Sequence, residues 1–168
     1  MSISNQFPTP PYITDKDKLN HYIIVDCAHF DHKLYREIRK NQNLQSKSLF
    51  MDTPDEESAF AGPVLITLDF EKNWKFIQEI QEIEQKQPAI LWLWSNQNFN
   101  QLFDILQSIQ YGKLDNGKTV LCRYFDPRCT EVMLKMLATD QDVAQQIQKI
   151  TAWAYKQTGG QYKYITEI

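Results

Sequence analysis

An α/β fold is the architecture this sequence predicts: a mostly parallel or mixed central sheet flanked by helices, in a single domain with helices near its C-terminal end. Three observations predict it. Apolar β-branched and aromatic runs alternate along the chain with segments of helical spacing. The runs Tyr22–Val25, Val64–Leu68 and Ala89–Trp94 are almost continuously apolar, as in strands covered on both faces of a parallel sheet. The pair Asp126-Pro127 closes a strand-like run and opens a helix-like one. At 168 residues the chain is long enough for one domain with a proper core.

The elements follow in order. Residues 1–20, with Pro8, Pro10 and Pro11, read as a flexible or extended arm. The α/β domain is assigned to residues 21–157. It opens with a strand over His21–Ala28 and a short helix over Lys33–Lys40. Asn41–Ala61 is mainly polar, with a small strand at Ser48–Met51 and a loop through Thr53-Pro54-Asp55. Gly62–Phe70 is the next strand. Trp74, Ile77, Ile80 and Ile83 form one stripe of an amphipathic helix that Pro88 ends. Ala89–Ser95 is a strand, and Phe99, Leu102, Phe103, Leu106 and Ile109 are spaced as a helix. Thr119–Phe125 reads as a strand. Beyond it Asp126 is placed to cap a helix and Pro127 to occupy its first position. Helices are predicted over Arg128–Ala138 and Val143–Lys156. Gly159-Gly160 breaks the second, and Tyr162, Tyr164 and Thr166 alternate as an edge strand in a tail of residues 158–168.

Composition excludes several classes. The net charge is −3, and the nearest thing to a basic cluster, Lys33, Arg36, Arg39 and Lys40, is diluted by Asp31 and Glu37. A nucleic-acid binder needs a basic stripe, so no nucleic-acid partner is expected. No signal peptide is recognised at the N-terminus, and the apolar runs are too short to cross a bilayer, so no membrane insertion is expected. Cys27, Cys122 and Cys129 are an odd number at no metal-ligand spacing, which suits a reducing cytoplasm.

An enzyme reading starts from Asp26, Asp69 and Asp126, each near the end of a predicted strand. In a parallel sheet those ends converge on one edge, where carboxylates can hold Mg²⁺ for phosphohydrolase-like chemistry. The paired Asp-x-Asp that such enzymes use is missing, and strand-end aspartates are ordinary turn formers and helix caps. His29-Phe30-Asp31-His32 lacks the distant partners of a zinc site. Cys129 has no identifiable histidine partner, and no nucleophile elbow or phosphate-binding glycine loop is present. The expectation is no catalytic residue, no metal and no cofactor.

The arginines carry more information. Arg123 lies on a partly apolar face, where an unpaired guanidinium costs roughly 3–5 kcal/mol. Asp26, with Asp126 next, is its predicted carboxylate partner, forming a polar pin. Tyr124, Phe125, Asp126, Pro127 and Arg128 then form one candidate partner-docking surface, since tyrosine and arginine dominate binding hot spots. Tyr162 and Tyr164 form a second, on an edge strand that a partner segment can extend.

The run T-V-L-C-R-Y-F-D-P-R at Thr119–Arg128, after the turn Asp115-Asn116-Gly117-Lys118, resembles the signature of the adaptor proteins, or effector chaperones, of bacterial type VI secretion. Other residues stand in the order of that family's pattern: the strand Tyr22–Ala28 with its aspartate, Leu34-Tyr35, Leu49-Phe50, Gly62–Leu65, Trp74, Ile90–Ser95, and Trp153 in a late helix. The resemblance spans roughly Tyr22 to Trp153. It implies a cytoplasmic, non-enzymatic protein that binds a toxic effector and promotes its loading onto the spike protein. Cys129-Thr130 departs from the pattern, where an aliphatic residue is expected. Many relatives continue into a second lobe, so binding through the shared lobe alone is the expectation here. An interaction domain unrelated to secretion is the other non-enzymatic reading.

Overall fold

Along strand β1 (Asn20–Asp26) successive side chains enter different cores: Tyr22 and Ile24 join one, Ile23 and Val25 the other. This double burial runs through the sheet of the computed structural model, which describes residues 7–14 and 18–168. After β1 come α1 (His32–Lys40), β2 (Ser46–Ser48), β3 (Pro63–Leu68), α2 (Trp74–Lys86), β4 (Ile90–Ser95) and α3 (Phe99–Ser108). The hairpin β5 (Tyr111–Lys113) and β6 (Thr119–Leu121) follows, then α4 (Thr130–Leu137), α5 (Gln141–Ile147), β7 (Ile150–Lys156) and β8 (Tyr162–Ile165). Among the described residues, the main sheet has the order β2-β3-β1-β4-β7-β8, and β5-β6 forms a separate two-stranded ribbon.

The expected parallel or mixed sheet is overturned, because each of these pairings is antiparallel. Strand β1 lies between β3 and β4, with Ile23 opposite both Ile66 and Trp92. Helix α2 therefore links two strands that share a direction without being neighbours, a split crossover. The strand–helix rhythm is real, yet the intervening strand removes the parallel contact it suggests. Continuous apolar runs likewise report cover on both faces and say nothing of direction. Helices α3, α4 and α5 cover one face, over Leu65, Leu91, Leu93 and Trp153. On the other, α1 and α2 cover Val64, Ile66, Trp92 and Ala154.

Two predicted elements change type. The helix expected over Val143–Lys156 stops at Ile147, and Trp153 lies in β7, not in a helix. Trp153 and Tyr155 face the α3–α5 layer while Ala152 and Ala154 face the other, an alternation that the helical spacing of Val143, Ile147, Ile150 and Ala154 concealed. The strand expected over Thr119–Phe125 ends at Leu121, since Tyr124 and Phe125 are consecutive and both buried, which no half-covered strand allows. The described part of the N-terminal arm packs on the sheet: the Phe7 and Phe70 rings are 4.7 Å apart, and the Thr9 N–H donates to the Tyr164 hydroxyl at 3.1 Å. The remainder of the arm, residues 1–6 and 15–17, lies outside the described residues. Among the described residues no helix is long and apolar enough to cross a membrane.

Candidate functional site

The polar corner forms where the end of β1 meets the segment joining β6 to α4. Asp26 is fixed by its backbone, with its N–H donating to Ala89 O at 2.8 Å beside the start of β4. Its fully buried carboxylate accepts from the Ala28 N–H at 3.1 Å and from Arg123 Nη2 at 3.0 Å. The same Arg123 nitrogen is 3.8 Å from Asp126 Oδ2. Asp126, also buried, accepts from the Arg128 backbone N–H and Nε at 3.0 Å and from its Nη2 at 2.7 Å. Two carboxylates and two guanidinium groups thus alternate, with Asp26 and Arg123 97 positions apart in sequence. Burial alone pushes the Asp126 carboxyl up, but the hydrogen bonds and charge of Arg128 and the charge of Arg123 outweigh it. The group is held below the usual aspartate range.

Asp126 serves α4 differently from the sequence expectation. Cys129 stands at the N-cap and Thr130 is the first helical residue, so Pro127 precedes the helix. Asp126 contributes its carbonyl, which accepts from the Thr130 N–H and hydroxyl, each at 3.0 Å.

Of the five corner residues expected to meet a partner, only Arg128 is exposed. Tyr124 is enclosed, its hydroxyl donating to Leu106 O at 2.7 Å, and burial pushes that phenol well up. Phe125 packs edge-on against Tyr124 and Phe50, and Asp126 and Pro127 are buried. Arg123 and Arg128 keep 44% and 58% of their side chains exposed. Tyr162 and Tyr164 are half-buried against the α2 side of the sheet, with Tyr162 donating to the buried Glu84. The backbone edge of β8 is nevertheless the outer edge of the sheet.

The three strand-end aspartates do not meet. Asp26 pairs opposite Pro63 at the start of β3, whereas Asp69 follows the end of β3, where Leu68 pairs with His21. In an antiparallel sheet those positions are at opposite ends. Asp69 accepts from the Glu71 and Lys72 N–H groups at 3.1 Å and pairs with Lys72 Nζ at 3.0 Å, a turn-forming role. Asp26, His29 and Asp126 do offer ligand atoms within 4.8 Å of one another. Arg123 already bridges the two carboxylates, so a cation there would have to displace a charge-assisted hydrogen bond. His32 instead stacks on Phe60, with ring centroids 3.9 Å apart.

What sequence reasoning missed is the outer face of α4. Thr130 and Leu134 point inward, leaving Val132 68% and Met136 49% exposed, one helical turn apart. Val132 and Met136 form the exposed apolar stripe of α4, and Arg128, two residues ahead of the helix, adds an exposed cation before it. The signal was available: Val132 and Met136 fall opposite Leu134 at helical period, so both faces of α4 are apolar. On its flank, Glu131 accepts from Lys135 and from Lys163 of β8, tying the helix to the sheet edge.

The family described as a domain of unknown function (DUF4123) matches residues 21–144, which include the sheet from β1 to β4, the polar corner and all of α4. No curated protein and no solved structure matches the chain.

Proposed function

The chain belongs to the DUF4123 family, and from that premise we propose that it is a non-enzymatic cytoplasmic adaptor of type VI secretion. On this reading it binds a toxic effector and promotes its loading onto the spike protein. The observation that carries the reading is the stripe Val132–Met136, solvent-facing on a helix whose other side is locked into the core, with the exposed Arg128 just ahead of it. Exposed apolar side chains beside an oriented arginine are a common recognition element. The corner supports the stripe: Asp126 holds Arg128 at two nitrogens, so its guanidinium meets a partner with little further ordering cost.

The test is capture of a type VI effector toxin and of a spike protein, each co-expressed with the wild type or with Val132→Asp/Met136→Asp. Both positions are exposed, so the thermal midpoint should stay close to that of the wild type. Loss of capture by at least about tenfold is expected if the stripe includes a hot spot. Wild-type protein that fails to retain toxin or spike, or a double variant that retains toxin unchanged, refutes the proposal.

A further inference from the structure

We propose that the cleft between the C-terminal end of α2 and the β7–β8 turn seats an acidic side chain of the bound polypeptide, so that the segment carried by this protein has a carboxylate next to apolar residues. The inference rests on the docking role given to the α4 stripe and names the chemistry of its occupant.

The cleft is about 440 Å³, and Arg128, two residues ahead of α4, lines it. Lys86, in the last turn of α2, and Lys156, at the end of β7, line it with Arg128. Against these three cations the lining includes a single carboxylate, Glu84. Glu84 is occupied internally: it accepts from Trp92 Nε1 at 2.8 Å and from the Tyr162 hydroxyl. Burial pushes its carboxyl up, against the pull of those two bonds and of Lys156. Arg128 presents one edge to Asp126, and its Nη1 takes part in neither of those side-chain bonds. Lys156 lies over the Tyr162 ring at 5.7 Å, which sets the direction of its chain. The cleft between α3 and α5, about 540 Å³, has the opposite balance, with Asp104 and Asp142 against Lys149. A negative segment is therefore drawn to one cleft and repelled by the other.

Geometry sets the order of groups. Val132 and Met136 are separated by about 6 Å along the helix axis. A helical partner that places a carboxylate in the cleft and apolar side chains further along meets the cations ahead of α4 and then the Val132–Met136 pair.

The probe is a labelled helix-forming peptide with glutamate followed by leucines at its fourth and eighth subsequent positions. A second peptide carries lysine in place of the glutamate. Both are titrated by fluorescence anisotropy against the full chain at low and high salt. The glutamate peptide should bind more tightly than the lysine peptide, and raised salt should reduce the difference. Lys86→Gln/Lys156→Gln should weaken the glutamate peptide roughly fivefold to tenfold and leave the lysine peptide unchanged. Lys86→Gln alone, at an exposed position, should weaken it about twofold to threefold, and it decides the matter where the double variant unfolds. Equal affinity for the two peptides, no binding of the glutamate peptide, or indifference to the lysine substitutions overturns the inference. So does binding to phosphatidylserine vesicles, lost in the same variants, without peptide binding. Toxin capture that depends on Val132 and Met136 but not on Lys86 or Lys156 removes the cleft and leaves the adaptor reading intact.

Discussion

Replacing Arg123 by methionine keeps most of the side chain's apolar length and removes its charge, which isolates what the Asp26 pairing contributes. The carboxylate is wholly buried and the arginine side chain is 44% exposed, with 3.0 Å between the paired atoms. Breaking a fully buried pair costs about 3–5 kcal/mol, whereas exposed pairs contribute about 0.2–1 kcal/mol. A half-exposed partner falls between, because part of the arginine's energy is already supplied by water. The expected loss is about 2 kcal/mol, or about 4–8 °C in thermal midpoint for a chain of this size. Asp26→Asn in the Arg123→Met background should cost less than it does alone, since no uncompensated charge then stays behind. Urea unfolding of the four proteins at pH 7, followed by far-UV circular dichroism, gives the coupling energy. About 1.5–2 kcal/mol is expected from the burial of Asp26. A coupling below about 0.5 kcal/mol, the scatter expected of independent sites, would refute the idea that this bond holds the corner to the sheet.

Gly62 offers a steric prediction. A Cβ built there meets the Phe50 ring at 2.4 Å, and Phe50 is itself packed in the core against Phe125. Gly62→Ala should lower stability by about 1–3 kcal/mol in the same urea assay. Loss in Gly62→Ala equal to that of an exposed alanine substitution would show that the ring can move. The acid limb of stability gives the other. Asp126 is held below its unfolded range, and Glu131 is brought down to about 2 by hydrogen bonds from Lys135 and Lys163, against an opposing effect of desolvation. Both folded groups bind protons less readily than the unfolded chain. Their contribution is therefore complete above an unfolded pKa of about 4 and is lost as pH falls toward 2. Stability should drop between about pH 5 and pH 2, and Asp126→Asn should flatten that drop. An unchanged acid limb in Asp126→Asn refutes the assignment.

Much of the fold was legible because burial leaves a direct trace in residue type. The strands at β1, β3 and β4 and the helices α2 and α3 follow from apolar runs and stripes, and their observed limits lie close to the expected ones. Direction leaves no such trace. Ile23 is covered on its own face whether its neighbours run with it or against it. Double burial therefore suggested a parallel sheet where helices cover an antiparallel one. Trp153 departs from the helix expected for it for a related reason: Thr151–Lys156 alternates at strand period, but Ala154 also completes a helical stripe with Val143, Ile147 and Ile150.

The corner divides along the same physical line. Charge in an apolar context demands a partner, and that demand is readable, so the pairing of Arg123 with Asp26 is legible in residue type alone. Exposure is a property of everything packed around a residue, and short-range pattern does not contain it. Tyr124 and Phe125 look like recognition residues by type, yet they fill the space beneath α4 between Leu106, Phe50 and Trp153. Their burial has a consequence for the proposed docking role. With Tyr124 and Phe125 anchored below and Asp126 gripping Arg128 above, the start of α4 has little freedom to rotate, so Val132 and Met136 are held outward. On the proposed reading the corner contributes to recognition by orientation, and Arg123→Met should loosen partner capture only as far as it loosens the fold. Capture that collapses in Arg123→Met while its thermal midpoint stays high would instead place Arg123 in direct contact with the partner.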